Sequence, residues 1–167
     1  MTDPTPSKTD SSQDHRLLAD VREALESPGG LSRALAFAIE RLAAESGTIH
    51  LLESDGLLHL KAASAGIPEQ VLAAVRTVPV GKGMAGLAVF RRQAVNVCNL
   101  QIDASGDVRP GARPTGLEGA VVVPILRGEE AVGALGVANR RPRDFTPAEV
   151  ALLTEVGRAI AAREEAS

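Results

Sequence analysis

Residues 78–90, "VPVGKGMAGLAVF", decide how this chain is read. Gly81, Gly83 and Gly86 spell G-x-G-x-x-G between a short apolar run and a helix-like one, the order of a dinucleotide-binding fingerprint. That fingerprint works in the first βαβ unit of a parallel sheet, where a pyrophosphate meets a helix N-terminus and an acidic residue further on holds the ribose. Here the glycines fall midway along the chain and hairpin signals follow them. Asp103, the next acidic residue, lies in a loop. The glycines therefore read as a tight turn into a helix. A P-loop is excluded too, because Lys82 precedes Gly83 where a Ser or Thr must reach magnesium.

Working outward, "TIHLLES" (48–54) and "LLHLKAAS" (57–64) flank Asp55-Gly56, a hairpin signal because both residues tolerate positive φ. "IPEQVLAAVRTV" (67–78) reads as a helix opened by Pro68, and "QAVNVCN" (93–99) as a short strand. A long loop spans 99–117. "GAVVVPILR" (119–127) and "AVGALGVAN" (131–139), joined around Gly128-Glu129, form a second hairpin. Two helices precede all this. Ser11 and Asp14 form a loose capping box before Leu17, Leu18, Val21 and Leu25, and Leu31, Leu35, Ile39 and Leu42 line a second helix stopped at Gly47. The last helix has Thr146 as N-cap, Pro147 at N1 and Glu149 at N3, then Val150, Leu153, Val156 and Ile160 along one face. The predicted organisation is a polar tail (1–11), an N-terminal helix (12–29), a folded domain (30–162) and a C-terminal tail (163–167).

Composition narrows the function. A chain of 167 residues and 17.3 kDa fits one domain, burying roughly 70% of its unfolded surface without disulfides. Three Phe, no Trp, no Tyr and a net charge of −3 leave no stacking platform and no general attraction for phosphates, so nucleic acid is not expected as a partner. Cys98 is the single cysteine, which rules out an internal disulfide and suits a reducing, cytoplasmic setting. No signal peptide or membrane-length apolar run occurs, so no membrane contact is expected. Asp103, Ser105 and Asp107 start like a calcium loop, but Val108 stands where Gly is needed and Pro114 where Glu is needed. With a two-residue turn in the first hairpin, His50 and His59 share a sheet face, yet no third ligand offers itself; no metal site is predicted. No G-x-S-x-G elbow or other catalytic set occurs, and no enzyme activity is expected.

With these elements placed, the chain resembles a GAF domain, a small-molecule sensory module of signalling proteins. The resemblance rests on residues 47–66, "VGKGMAGLAVFRRQAVNVCN" (80–99), "AVVVPILRGEEAVGALGVANR" (120–140) and "DFTPAEVALLTEVGRAIA" (144–161), and spans about residues 30–162. It implies an α+β, GAF/PAS-like fold: a central antiparallel sheet of about five to six strands, with terminal helices on one face and, on the other, a pocket closed by the middle helices and the long loop. Gly81 and Gly83 would then shape the turn, and Gly86 would allow close helix packing. The Asn-Lys, Phe, Asp-Glu signature of cyclic-nucleotide-binding relatives corresponds here to Asn139, Arg140, Phe145 and Glu149, with Val150 replacing the final acid. That departure counts against a cyclic nucleotide, though Arg140 and Glu149 could pair. Free methionine-R-sulfoxide reductases of similar fold use cysteines in the glycine turn and following loop, where this chain has Ala85 and none. Bilin-binding relatives carry signatures missing around Cys98.

The pocket candidates implied by placement are Met84 and Leu87 after the glycine turn, Cys98 and Asn99 at the end of the short strand, and Val121 and Val123 on the next. Arg109 and Arg113 in the loop could recognise an anion. The resulting expectation is a non-catalytic module that binds an unidentified small molecule, names no cofactor, and signals through a homodimer formed by its terminal helices or through a partner protein. A ligandless dimerisation or scaffold module is the alternative.

Overall fold

The computed structural model describes residues 8–99 and 116–166. Among them the order is α1 (Lys8–Leu25), α2 (Gly30–Arg41), β1 (Ser46–Leu52), β2 (Leu57–Ala63), α3 (Glu69–Ala74), β3 (Thr77–Pro79), α4 (Gly83–Arg91), β4 (Val95–Val97), β5 (Gly119–Arg127), β6 (Glu130–Asn139) and α5 (Pro147–Ala166). The six strands form one antiparallel sheet in the order β3-β2-β1-β6-β5-β4, which puts β1 and β6 at its centre. β5 and β6 are apolar almost throughout because both of their faces are covered.

One face carries α1, α2 and α5. Val21, Leu35, Leu153, Val156 and Ile160 meet Ile49, Val121, Val123, Ile125, Leu135 and Val137 there in the main core, all nearly or fully buried. The helical stripes are therefore satisfied within the chain. The other face carries α4 over β5 and β6, and the end of α3 beside β1.

Several local readings are corrected. α1 begins at Lys8, inside the stretch expected to be tail, and Asp14 is no cap: its carboxylate accepts from Arg41 Nε at 3.0 Å across to α2. α2 stops at Arg41, before Gly47, because Ala43 adopts φ +52° and its own amide and that of Ala44 turn back to the Glu40 and Ile39 carbonyls, a Schellman-type end built on alanine. α5 runs to Ala166, so the expected C-terminal tail is helical to that point. The first hairpin turns through Ser54, Asp55 and Gly56, with Gly56 at φ +81° donating to Glu53 O at 3.0 Å. That extra loop residue pairs His59 with Leu51 and His50 with Leu60, so the two histidines point to opposite faces. The shared face depended on a two-residue turn, and the one-residue change in turn length separates them.

The quoted glycine stretch is explained by backbone geometry. Gly81 (φ +90°) and Gly83 (φ +66°) carry the turn from β3 into α4, and Gly81 N donates to Gly86 O at 2.8 Å. A Cβ on Gly86 would lie 2.3 Å from Pro79 O, so glycine there lets the helix pack closely against the end of β3.

Candidate functional site

The face under α3 and α4 is built from alternate residues of the central strands. β6 contributes Ala134, Gly136 and Ala138, and β5 contributes Ala120, opposite Ala138, and Val122, opposite Gly136. β1 contributes Thr48, opposite Gly136, and His50, opposite Ala134. The floor is thus made of small residues, and two positions in it, Thr48 and Val122, stay half-exposed although their strands lie inside the sheet. From α4, Met84 and Leu87 pack half-buried against the cluster that holds Ala120 and Ala138.

Val121 and Val123 are placed differently from expectation. Both join the helical core on the far face, 1% and 0% exposed, and Val122 is the strand residue that faces α4. Which member of the "VVV" run faces which side depends on register, and three identical residues carry no alternation to reveal it. Cys98 is exposed at the end of β4, where its carbonyl accepts from Arg143 N at 3.0 Å, and Asn99 beside it is half-buried. Arg109 and Arg113 lie outside the described residues, as do Asp103, Ser105 and Asp107.

His50 is the polar group at this face that sequence reading did not single out as a pocket residue. His50 is 3% exposed, and Nε2 lies 2.8 Å from Val75 O at the C-terminus of α3. A carbonyl only accepts, so Nε2 carries the hydrogen. Nδ1 has no partner among the described residues. Burial pushes the imidazole below its ordinary pKa, partly opposed by the bond to Val75, so the ring is neutral at pH 7. The signal in the sequence was a lone histidine inside the apolar strand "TIHLL", which by itself does not distinguish a floor position from a core one.

The signature residues form a structural lock at the sheet's end. Asn139 is 2% exposed, its Nδ2 donates to Ala43 O at 3.1 Å, and its Oδ1 accepts from Arg143 Nη1 at 2.9 Å. Arg143 also pairs with Glu149 and lies 4.1 Å over the Phe145 ring, while Glu149 completes a capping box with Thr146. The expected Arg140–Glu149 pair is replaced: Arg143 takes Glu149, and Arg140 reaches Glu45 at 3.7 Å in an exposed pair. Arg143 wins because the turn after β6 brings it back over the start of α5.

The fold and this two-faced arrangement are those of a GAF domain, and the chain belongs to that family, whose model matches residues 27–162. The chain is similar in structure to the GAF domain of an Acinetobacter phosphoenolpyruvate-protein phosphotransferase, at 20% identity, TM-score 0.74, covering 96% of this chain and 98% of that one. It is also similar to a free methionine-R-sulfoxide reductase from Neisseria meningitidis solved with its substrate, at 18% identity, TM-score 0.76, with 100% and 98% covered. A third similar structure is the GAF domain of a Coxiella burnetii phosphoenolpyruvate-protein phosphotransferase, at 19% identity, TM-score 0.73, with 94% and 95% covered. No curated protein matches the chain significantly. Likeness at these identities speaks to the fold. No helix among the described residues is long and apolar enough to cross a membrane.

Proposed function

We propose that this chain is a non-catalytic sensory GAF domain that binds a small organic molecule between the sheet and α3–α4 and transmits that event to a partner protein. The observation that carries the reading is the floor itself: small side chains at Ala120, Ala134, Gly136 and Ala138, with Thr48 and Val122 half-exposed in strands that lie inside the sheet. A face built for packing alone would fill those positions with larger residues. The absence of aromatic rings other than three Phe favours a ligand held by apolar walls over a stacked purine, so a cyclic nucleotide is the weaker candidate.

A reductase reading is disfavoured by redox chemistry. Sulfoxide reduction takes two electrons, and the single cysteine of these 167 residues cannot close an internal disulfide to deliver them. Transmission through apolar stripes of α1 and α5 is disfavoured as well, because Leu17, Val21, Leu25, Val156 and Ile160 are buried inside the chain. A second copy or a partner would dock on the polar faces of those helices, in the reducing compartment that suits exposed Cys98.

Thermal-shift screening against metabolites, nucleotides and amino acids tests the proposal. A ligand at 100 times its Kd stabilises by about 2.7 kcal/mol. No stabiliser from a broad library, or turnover of free methionine-R-sulfoxide lost in Cys98→Ser, would count against it.

A further inference from the structure

We propose that His50 is the polar anchor of this pocket, its unpartnered Nδ1 accepting a hydrogen bond from an N–H or O–H group of an uncharged organic ligand. The inference rests on the small-molecule reading above and extends it by naming the residue, the atom and the ligand group.

Three observations carry it. The bond to Val75 O at 2.8 Å fixes the hydrogen on Nε2, so the other ring nitrogen presents a lone pair and nothing else. That lone pair is buried and has no partner among the described residues, a state that native structures rarely leave without water or a ligand. The side chains gathered on the same face, Leu58, Val78, Met84, Val89, Val122 and Ala134, are uncharged, so they favour a neutral donor over an ammonium group.

The same ring gives the ligand a route outward. α3 has no buried residue of its own, and the imidazole joins its C-terminal carbonyl to the central strand. A donor on Nδ1 makes Nε2–H a stronger donor to Val75, since hydrogen bonds in series polarise one another. Ligand binding would thus tighten α3 onto the sheet.

The test uses the full chain labelled with ¹⁵N-histidine and two probe pairs, uracil with 1,3-dimethyluracil and phenol with anisole. The expected result is that uracil or phenol moves the Nδ1 resonance upfield while Nε2 keeps its proton, and that amide exchange slows around Val75. The methylated partner should bind at least about tenfold more weakly, a preference lost in His50→Leu. Equal binding within each pair, an unmoved Nδ1 on binding, or a proton on Nδ1 would overturn the assignment. The measurements on unmodified protein decide the matter even if His50→Leu fails to fold. Metabolite stabilisation with an unmoved Nδ1 would remove only the anchor; no binding by any metabolite or probe would remove the pocket reading too.

Discussion

The imidazole of His50, on the central strand, donates from Nε2 to the carbonyl of Val75, 2.8 Å away at the end of a helix separated from it by most of a hairpin. This bond fixes the ring's tautomer, while burial keeps the ring neutral against the bond's opposing pull, and both consequences can be measured.

The first concerns pH. Burial holds the folded-state pKa of His50 below its ordinary value near 6.5. The unfolded chain then binds more protons than the folded one between those two values, so folding stability falls as pH drops from about 6.5 toward the folded pKa and levels off beneath it. His50→Gln should flatten that part of the curve, read from urea midpoints across pH 4.5–7.5 at constant salt. An unchanged slope would mean that the ring titrates alike in both states.

Gly86 and Gly81 should respond differently to alanine. At Gly86 the new Cβ meets Pro79 O at 2.3 Å, a backbone atom that cannot step aside, and a loss of roughly 3 kcal/mol is expected. At Gly81 the Cβ has open space and the cost is the positive φ alone, about 1 kcal/mol. Denaturant unfolding of both variants measures the gap.

Ala43 offers a stabilising change. It holds φ +52° to end α2, a conformation that costs an alanine about 1–2 kcal/mol and a glycine almost nothing. Ala43→Gly should raise stability by about 0.5–1 kcal/mol after the extra chain entropy of glycine is counted, provided the carbonyl keeps its bonds from Asn139 and Arg143. A lower melting temperature would show that the turn does not hold this geometry in solution.

The two arginines near α5 should separate cleanly. Arg143 is 14% exposed and bonds to Asn139, Glu149 and the Ala43 carbonyl, so Arg143→Ala should cost about 2–3 kcal/mol by leaving Asn139 and Glu149 short of a partner. Arg140→Ala breaks one exposed pair and should change stability by less than about 0.5 kcal/mol. Equal losses in paired melts would reinstate the Arg140–Glu149 lock.

The valines of β5 test the assignment of faces. Val123→Ala removes fully buried methyls from the helical core and should cost about 2 kcal/mol without altering ligand affinity. Val122→Ala should cost less and change affinity, since its side chain lies beneath α4. Calorimetric titration with whichever metabolite stabilises the protein separates the two effects.

Much of the architecture is legible locally. The hairpin at Gly128-Glu129, the capping box of Thr146 and Glu149, and the turn of Gly81 and Gly83 are all written in residues whose backbone preferences or side-chain bonds act within a few positions. Those local signals, with apolar periodicity between them, mark the elements and their antiparallel hairpins; the placing of the terminal helices on one face of the sheet was implied by the resemblance to GAF domains. What sequence could not resolve is register and partner. One extra residue in the first turn sends His59 away from His50, a run of identical valines hides which one faces the floor, and Arg143 displaces Arg140 because a turn, not a spacing, brings it to Glu149. Local preference determined the elements of this protein. Only tertiary packing decided which atoms meet, and so left one buried nitrogen of His50 without a partner among the described residues.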